Sequence, residues 1–242
     1  MKLFHVTITG ADHSLSNIQE LFRLSEEFRF VEWGILYSPN KQNELRYPPK
    51  DWQNNLFSMC DDALAANGWA PNLSAHLCGQ YAIDVLFNNL LMLPSKYFKR
   101  CQVNTSAKNL QRADIFALDG FFHMLAPEVE FIFQYRGTSD DAKIDEMSRC
   151  NQIVPRFAAL YDISGGKGIL PTTWPKPFSN VRTGYAGGLN PDNLKEQLAK
   201  IASVVGDNSV SIDMESGVRT NNEFDLDKVR RCLQIAKDFS LM

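Results

Sequence analysis

Two glycine-bearing turns near the C-terminus and a small set of ionisable residues carry the chemistry that this sequence offers. Residues 184–193 (GYAGGLNPDN) and 211–218 (SIDMESGV) each read as a strand ending in small residues before a helix. Glycine lets a backbone come close to a ligand, and a helix start presents unpaired N–H groups at the positive end of a dipole. The amides around Gly187, Gly188, Ser216 and Gly217 are therefore candidates for holding a phosphate. The second reading of the same turns is close strand–helix packing without an anion. The ionisable set is Asp162, Asp213, Arg46, His76 and Cys78. Carboxyl, imidazole and thiol groups move protons, and a guanidinium holds an anion. His76 and Cys78 lie two residues apart, so strand alternation puts them on one face, as it does Thr7 and Thr9. Either His76 or Cys78 can serve as a base; the other reading is that both belong to an interior polar network. A zinc site there lacks a third ligand at any suitable spacing.

The elements that must position these groups alternate along the whole chain. Strand patterns fall at 3–9, 31–37, 73–78, 101–105, 129–135, 158–163, 183–186 and 210–214, rich in β-branched and aromatic residues and ending at small or polar ones. Helical periodicity is clearest at 15–28, 81–93, 110–118, 194–205 and 226–239. Eight β–α alternations predict a closed parallel (β/α)8 TIM barrel, an α/β fold, over a single domain of residues 1–242. The sixth βα segment is irregular, because the prolines in 171–177 (PTTWPKP) forbid a normal helix. In such a barrel the catalytic groups stand at the C-terminal ends of strands and in the loops that follow. Thr9, His76, Cys78, Gln102, Asp162 and Asp213 occupy strand ends, and Arg46 lies in the long loop after the second strand.

At 242 residues the chain has the size of one such barrel, and a net charge of −3 leaves no basic footprint for nucleic acid. No stretch approaches the 18 or so apolar residues of a membrane span. The first residues carry no apolar run of signal-peptide length, so a cytoplasmic protein is expected. Five scattered cysteines, at 60, 78, 101, 150 and 232, without a Cys-x-x-Cys pair, predict reduced thiols. His5, His13 and His123 have no partners by spacing and read as structural or exposed. Trp52, Trp69 and Trp174 read as packing residues, with Trp174 placed to border a ligand.

On these residues the chain resembles phosphoribosylanthranilate isomerase, a (β/α)8 enzyme that performs an Amadori rearrangement in tryptophan biosynthesis. Residues 160–168 (LYDISGGKG) look like that family's strand-six segment, and 186–193 and 212–218 look like its two phosphate turns. Ser38-Pro39 with 46–48 (RYP) is similar to its strand-two loop, with an insertion; between about 50 and 155 the likeness is one of rhythm only. The resemblance implies that Asp162 is a general acid for the ribose ring oxygen. It further implies that Arg46 holds a substrate carboxylate and that Asp213 lies near the reacting amine. Gln102 joins them as a substrate-binding candidate. The family's general base is a cysteine in a KICG pattern; here 7–10 reads TITG, with Thr9 at that place. A threonine hydroxyl needs an activating partner to act as a base, which leaves the base open between His76 and Cys78. Glu215 replaces a small residue of the second phosphate turn, and its charge would repel a phosphate if aimed inward.

The expected function is an aldose–ketose isomerisation of a phosphorylated ribosylamine or a related small phosphosubstrate. Two proton-transfer groups carry it out, with no metal or organic cofactor. The alternatives are a lyase, epimerase or hydrolase on another phosphosubstrate, or a non-catalytic phosphometabolite-binding protein. The small phosphorylated substrate is the expected partner, with neither nucleic acid nor membrane, in a monomer or homodimer.

Overall fold

The computed structural model describes residues 1–12, 14, 18–42, 44–91, 95–137, 141–165 and 167–241. Eight parallel strands close into a barrel in chain order: β1 (Lys2–Thr9), β2 (Val31–Tyr37), β3 (Asn72–Cys78), β4 (Arg100–Asn104), β5 (Glu130–Tyr135), β6 (Phe157–Tyr161), β7 (Arg182–Ala186) and β8 (Ser209–Met214). The last strand pairs with the first, Val6 beside Ile212 and Thr7 beside Asp213. The helices are α1 (Gln19–Glu27), α2 (Lys50–Asn67), α3 (Gln80–Phe87), α4 (Ala107–Arg112), α5 (Ile115–Leu125), α6 (Asp141–Asn151), α7 (Leu194–Val205) and α8 (Leu226–Leu241). Each strand falls within two residues of its expected ends, because alternation and turn residues mark strands well when both faces are buried.

The helices depart further from expectation. The pattern at 110–118 is two helices, because Ser106 and Asp114 each cap a new one: Ser106 Oγ accepts from the Asn109 N–H and Asp114 Oδ1 from the Ala117 N–H. The helix expected at 81–93 stops at Phe87, with Asn89 in the left-handed region at φ 49°; residues 92 and 93 lie outside the described residues. So do His13, residues 15–17 of the first expected helix, and Gly166. Helices α2 and α6 were not distinguished by periodicity. Among the described residues, none between β6 and β7 is helical. There the proline-rich segment covers the barrel itself. Trp174 is buried against Tyr161 and Tyr185, and its Nε1–H donates to Gln197 Oε1 of α7 at 3.1 Å. Trp174 therefore belongs to the outer core and not to a ligand border.

Alternate residues of each strand face outward into one continuous apolar layer under the helices, for example Trp33, Phe131, Phe133 and Ile212. Phe122 of α5 stacks on Phe131 with ring centroids 3.4 Å apart. Inside, the N-terminal end of the barrel is closed by ions. The Arg100 guanidinium donates to Glu32 Oε1 and to Glu130 Oε2, each at 2.8 Å, and Thr7 Oγ1 donates to Glu32 Oε1 at 2.8 Å. A small apolar cluster of Ile132, Ala158, Leu160 and Ala186 fills the other arc of the interior. These two groups fill the interior below the C-terminal mouth. Among the described residues, no helix is long and apolar enough to cross a membrane, and no group of three or more His, Cys, Asp or Glu side chains is arranged to hold a metal.

Candidate active site

At the C-terminal mouth lies a cavity of about 250 Å³. Its lining brings together His76, Cys78, Gln102, Arg46, Asp162, Asp213, Gly187, Gly188 and Ser216 from seven strand ends and loops. Thr9 stands just beneath, buried, in contact with the lining through Asp213 and His76. Like Thr9, Gly217 does not reach the cavity wall. Tyr47, Lys41, Glu44 and Ser164, to which sequence reasoning gave no site role, also line it, as does the strand-end residue Gln134. Only their place in loops after β2 and β6, or at the end of β5, signalled them.

The centre of the site is the half-buried carboxyl of Asp213. Thr9 Oγ1 donates to Asp213 Oδ1 at 2.7 Å. Burial raises the Asp213 pKa to about 8; the Thr9 hydrogen bond opposes the rise, and the charges of Glu215, Asp162 and Glu32 add to it. With Oδ1 accepting from Thr9, the proton of the neutral acid is left to Oδ2. Thr9 has one hydroxyl proton and spends it on Asp213, so its lone pairs face His76 Nδ1, 3.5 Å away.

His76 is held neutral. Desolvation lowers its pKa to about 4, with Arg100 adding to the fall and Glu32 opposing it. Its Nε2 has no hydrogen-bond partner among the described residues and packs against Gly34, where a Cβ would stand 2.9 Å away. Glycine at 34 is thus what makes room for both His76 and the Thr9 hydroxyl. Burial likewise raises the Cys78 thiol above its ordinary value, while Asn104, whose Nδ2–H donates to Sγ at 3.2 Å, and Tyr47 pull it down. Both side chains are thus held in their uncharged forms near neutral pH.

Asp162 follows β6, and its Oδ1 accepts both the Ser164 N–H at 3.0 Å and the Ser164 hydroxyl at 2.7 Å. That local turn fixes the carboxylate at the cavity edge. Gln102 donates to Asn104 Oδ1 at 2.7 Å, so both are ordered before any ligand arrives. Arg46 Nη1 contacts Glu215 Oε1 at 2.6 Å and Nη2 donates to Asn222 Oδ1 at 2.8 Å. Glu215 is therefore turned towards the β2 loop.

The two glycine turns are built differently. After β7, Gly187 and Gly188 have φ of 113° and 65°, and a Cβ on Gly188 would stand 2.6 Å from the Leu170 amide nitrogen. Both residues line the cavity, and the β6 loop packs on their other side. Asn193 and Asn190 hold the turn by donating to the Gly188 carbonyl at 2.9 and 3.2 Å, ahead of α7. After β8 the expected helix start is absent. Residues Ser216–Val218 form one 3-10 turn, and a two-strand hairpin of β9 (Arg219–Thr220) and β10 (Glu223–Phe224) follows. The first turn of α8 is instead capped by Asp225, whose Oδ1 accepts from the Asp227 and Lys228 amides. A Cβ on Gly217 would overlap the Leu189 carbonyl oxygen, so this glycine serves the close approach of the two turns.

No family model matches the chain. Solved structures match it along its length at low identity. Phosphoribosyl anthranilate isomerase from Thermotoga maritima is 15% identical, with 98% of this chain and 100% of that one covered and a TM-score of 0.50. A phosphoribosyl anthranilate isomerase in complex with reduced 1-(o-carboxyphenylamino)-1-deoxyribulose 5-phosphate is 14% identical, with 98% and 100% covered and a TM-score of 0.51. Phospho-2-dehydro-3-deoxyheptonate aldolase (DAHP synthase) from Thermotoga maritima is 13% identical, with 99% and 69% covered and a TM-score of 0.57. What the chain shares with all three, at such identities, is the closed (β/α)8 fold.

Proposed function

We propose that this protein is an isomerase of a small phosphorylated substrate, converting an N-substituted ribosylamine phosphate to the corresponding aminoketose phosphate. One observation carries the reading: Asp162 and Asp213 face a single cavity, and Asp213 keeps its proton to about pH 8. A pair of carboxyl groups in different environments divides acid and base roles between its members. Asp213 is then the proton donor to the ring oxygen. The C1–O bond breaks as the substituent nitrogen supplies its lone pair, leaving a C1=N iminium. Asp162, held as an acceptor by Ser164, takes the proton from C2. The enaminol that results regains a proton at C1 and loses one from the C2 hydroxyl, giving the ketone. This assignment moves the acid from Asp162, where the sequence resemblance put it, to Asp213, and leaves His76 and Cys78 as neutral neighbours. Gly187, Gly188 and Ser216 are the proposed phosphate contacts, with Gly217 behind them.

A direct test feeds the protein N-substituted ribosylamine 5-phosphates and follows the C1 and C2 carbon resonances by NMR. Growth of a ketone signal, abolished in both Asp162→Asn and Asp213→Asn, is the expected result. Absence of turnover by folded protein that the same compounds still stabilise would favour the non-catalytic binding protein. A second reading is a lyase, epimerase or hydrolase on another phosphosubstrate. It is favoured by the Arg46–Glu215 ion pair, which occupies the arginine that the resemblance assigns to a substrate carboxylate. Turnover of a phosphosugar without a ribosylamine nitrogen would select it.

A further inference from the structure

We infer that Glu215 is a specificity-determining residue, which withdraws Arg46 from anion binding and selects substrates whose nitrogen substituent bears an amino group in place of a carboxylate. The inference rests on the functional reading above. With the phosphate at the β7 and β8 turns and the reacting carbons between Asp162 and Asp213, the substituent end of the substrate lies under the loop after β2. That end of the cavity is lined by Lys41, Glu44, Arg46, Tyr47, Cys78 and Glu215.

Both cations there are already engaged. Arg46 contacts Glu215 through Nη1 at 2.6 Å and Asn222 through Nη2 at 2.8 Å, so the two terminal nitrogens of its fork are taken. Lys41 Nζ lies 3.5 Å from Glu44 Oε1. A ligand carboxylate entering here would have to displace Glu215 from the guanidinium and then share the space with it and with Glu44. Like-charge juxtaposition in a partly desolvated pocket is a strong source of discrimination. A protonated amine meets the opposite situation: the carboxylate oxygens of Glu215 and Glu44 accept from it, and the Arg46 charge is balanced by its own partner. Glu215 and Arg46 are each 27% exposed at the side chain, close enough to water for a ligand to reach and buried enough for the pair to be ordered.

The test uses two unreactive probes matched in length: 1-(2-aminoethylamino)-1-deoxyribitol 5-phosphate and 1-(2-carboxyethylamino)-1-deoxyribitol 5-phosphate. Titration calorimetry on the full chain measures both affinities for the wild type and for Glu215→Gln. The isosteric change at this partly exposed site spares the core, and its melting temperature checks folding. The wild type is expected to bind the amino probe roughly tenfold or more tightly than the carboxy probe, and Glu215→Gln to abolish or invert that preference by freeing Arg46. Equal affinities in the wild type, a preference for the carboxy probe, or a ratio unmoved by Glu215→Gln would each overturn the inference while leaving the phosphoribose reading in place. Binding of neither probe would overturn both.

Discussion

The Thr9 hydroxyl donates to Asp213 across the seam where the barrel closes, at 2.7 Å, and so moderates the most perturbed carboxyl of the site. A hydrogen bond to a charged acceptor contributes about 1.5–3 kcal/mol. Removing it in Thr9→Val costs the ionised form more than the neutral acid, which accepts the same bond more weakly, so the Asp213 pKa rises by up to about one unit. With Asp213 as the acid, activity falls as pH rises through about 8 in the wild type. The alkaline limb should therefore move upward in Thr9→Val and stay in place in Thr9→Ser. The pH dependence of kcat/KM measures it, and an unmoved limb would remove Asp213 from the acid role.

The same carboxyl makes stability depend on pH. Folding raises its pKa from 3.8 to about 8, so the stability carried by the neutral acid is full below 3.8 and is lost as pH rises through the folded value. His76 acts in the other direction. Its pKa falls from 6.5 to about 4 on folding, so its contribution is full above 6.5 and is lost as pH falls towards 4. Between pH 6.5 and 8 only the Asp213 slope of this pair remains, at most about 1.4 kcal/mol per pH unit. Wild-type melting temperature should drop across that window and Asp213→Asn should be flat and more stable at its upper end. Parallel melting curves would mean that Asp213 ionises as readily in the folded chain as outside it.

Glycine turns that bind an anion can be separated from glycine turns that merely pack. Gly188 and Gly206 have nearly the same φ, 65° and 62°, but a Cβ on Gly206 meets open space while one on Gly188 meets Leu170 N at 2.6 Å. Alanine at 206 then carries only the backbone strain of φ 62°, ψ −131°, about 1–3 kcal/mol, with no clash. Alanine at 188 adds displacement of the β6 loop from the cavity wall. Stabilisation by inorganic phosphate, read as a shift in melting temperature, should survive Gly206→Ala and disappear in Gly188→Ala. Persistence in Gly188→Ala would leave that turn a packing device.

Strand ends were readable in the sequence because a barrel strand is short, apolar on its outer face and stopped by small residues; β2 shows it at Val31–Tyr37, where expectation and structure coincide. The common face of Thr7 and Thr9, and that of His76, followed from alternation alone, and all three residues are buried. What could not be read was any relationship between distant loops. Nothing near Arg46 announces that its partner is Glu215, and the Asp213 pKa depends, besides burial, on Thr9 of β1 and on the charges of Asp162 and Glu32. The second glycine turn misled for a local reason: Asp225 caps α8 farther along, so a helix that the apolar period located correctly begins beyond the turn.

The ion network that closes the N-terminal end of the barrel should govern stability, while its charges also reach His76 and Asp213. Arg100 is 5% exposed and is the cation between Glu32 and Glu130, both buried. Arg182 reaches only the outer oxygen of Glu130, at 3.0 Å from a half-exposed position. Arg100→Met therefore strands the Glu32 carboxylate with a single donor, Thr7, beside a second carboxylate. Breaking a buried pair in this way costs about 3–5 kcal/mol, because the remaining charge has lost its compensation. Converting both acids as well, in Glu32→Gln with Arg100→Met and Glu130→Gln, removes the stranded charges and should recover much of that loss. Urea denaturation measures both variants. A triple variant no more stable than Arg100→Met would show that the arginine acts through its packing volume, with its charge incidental.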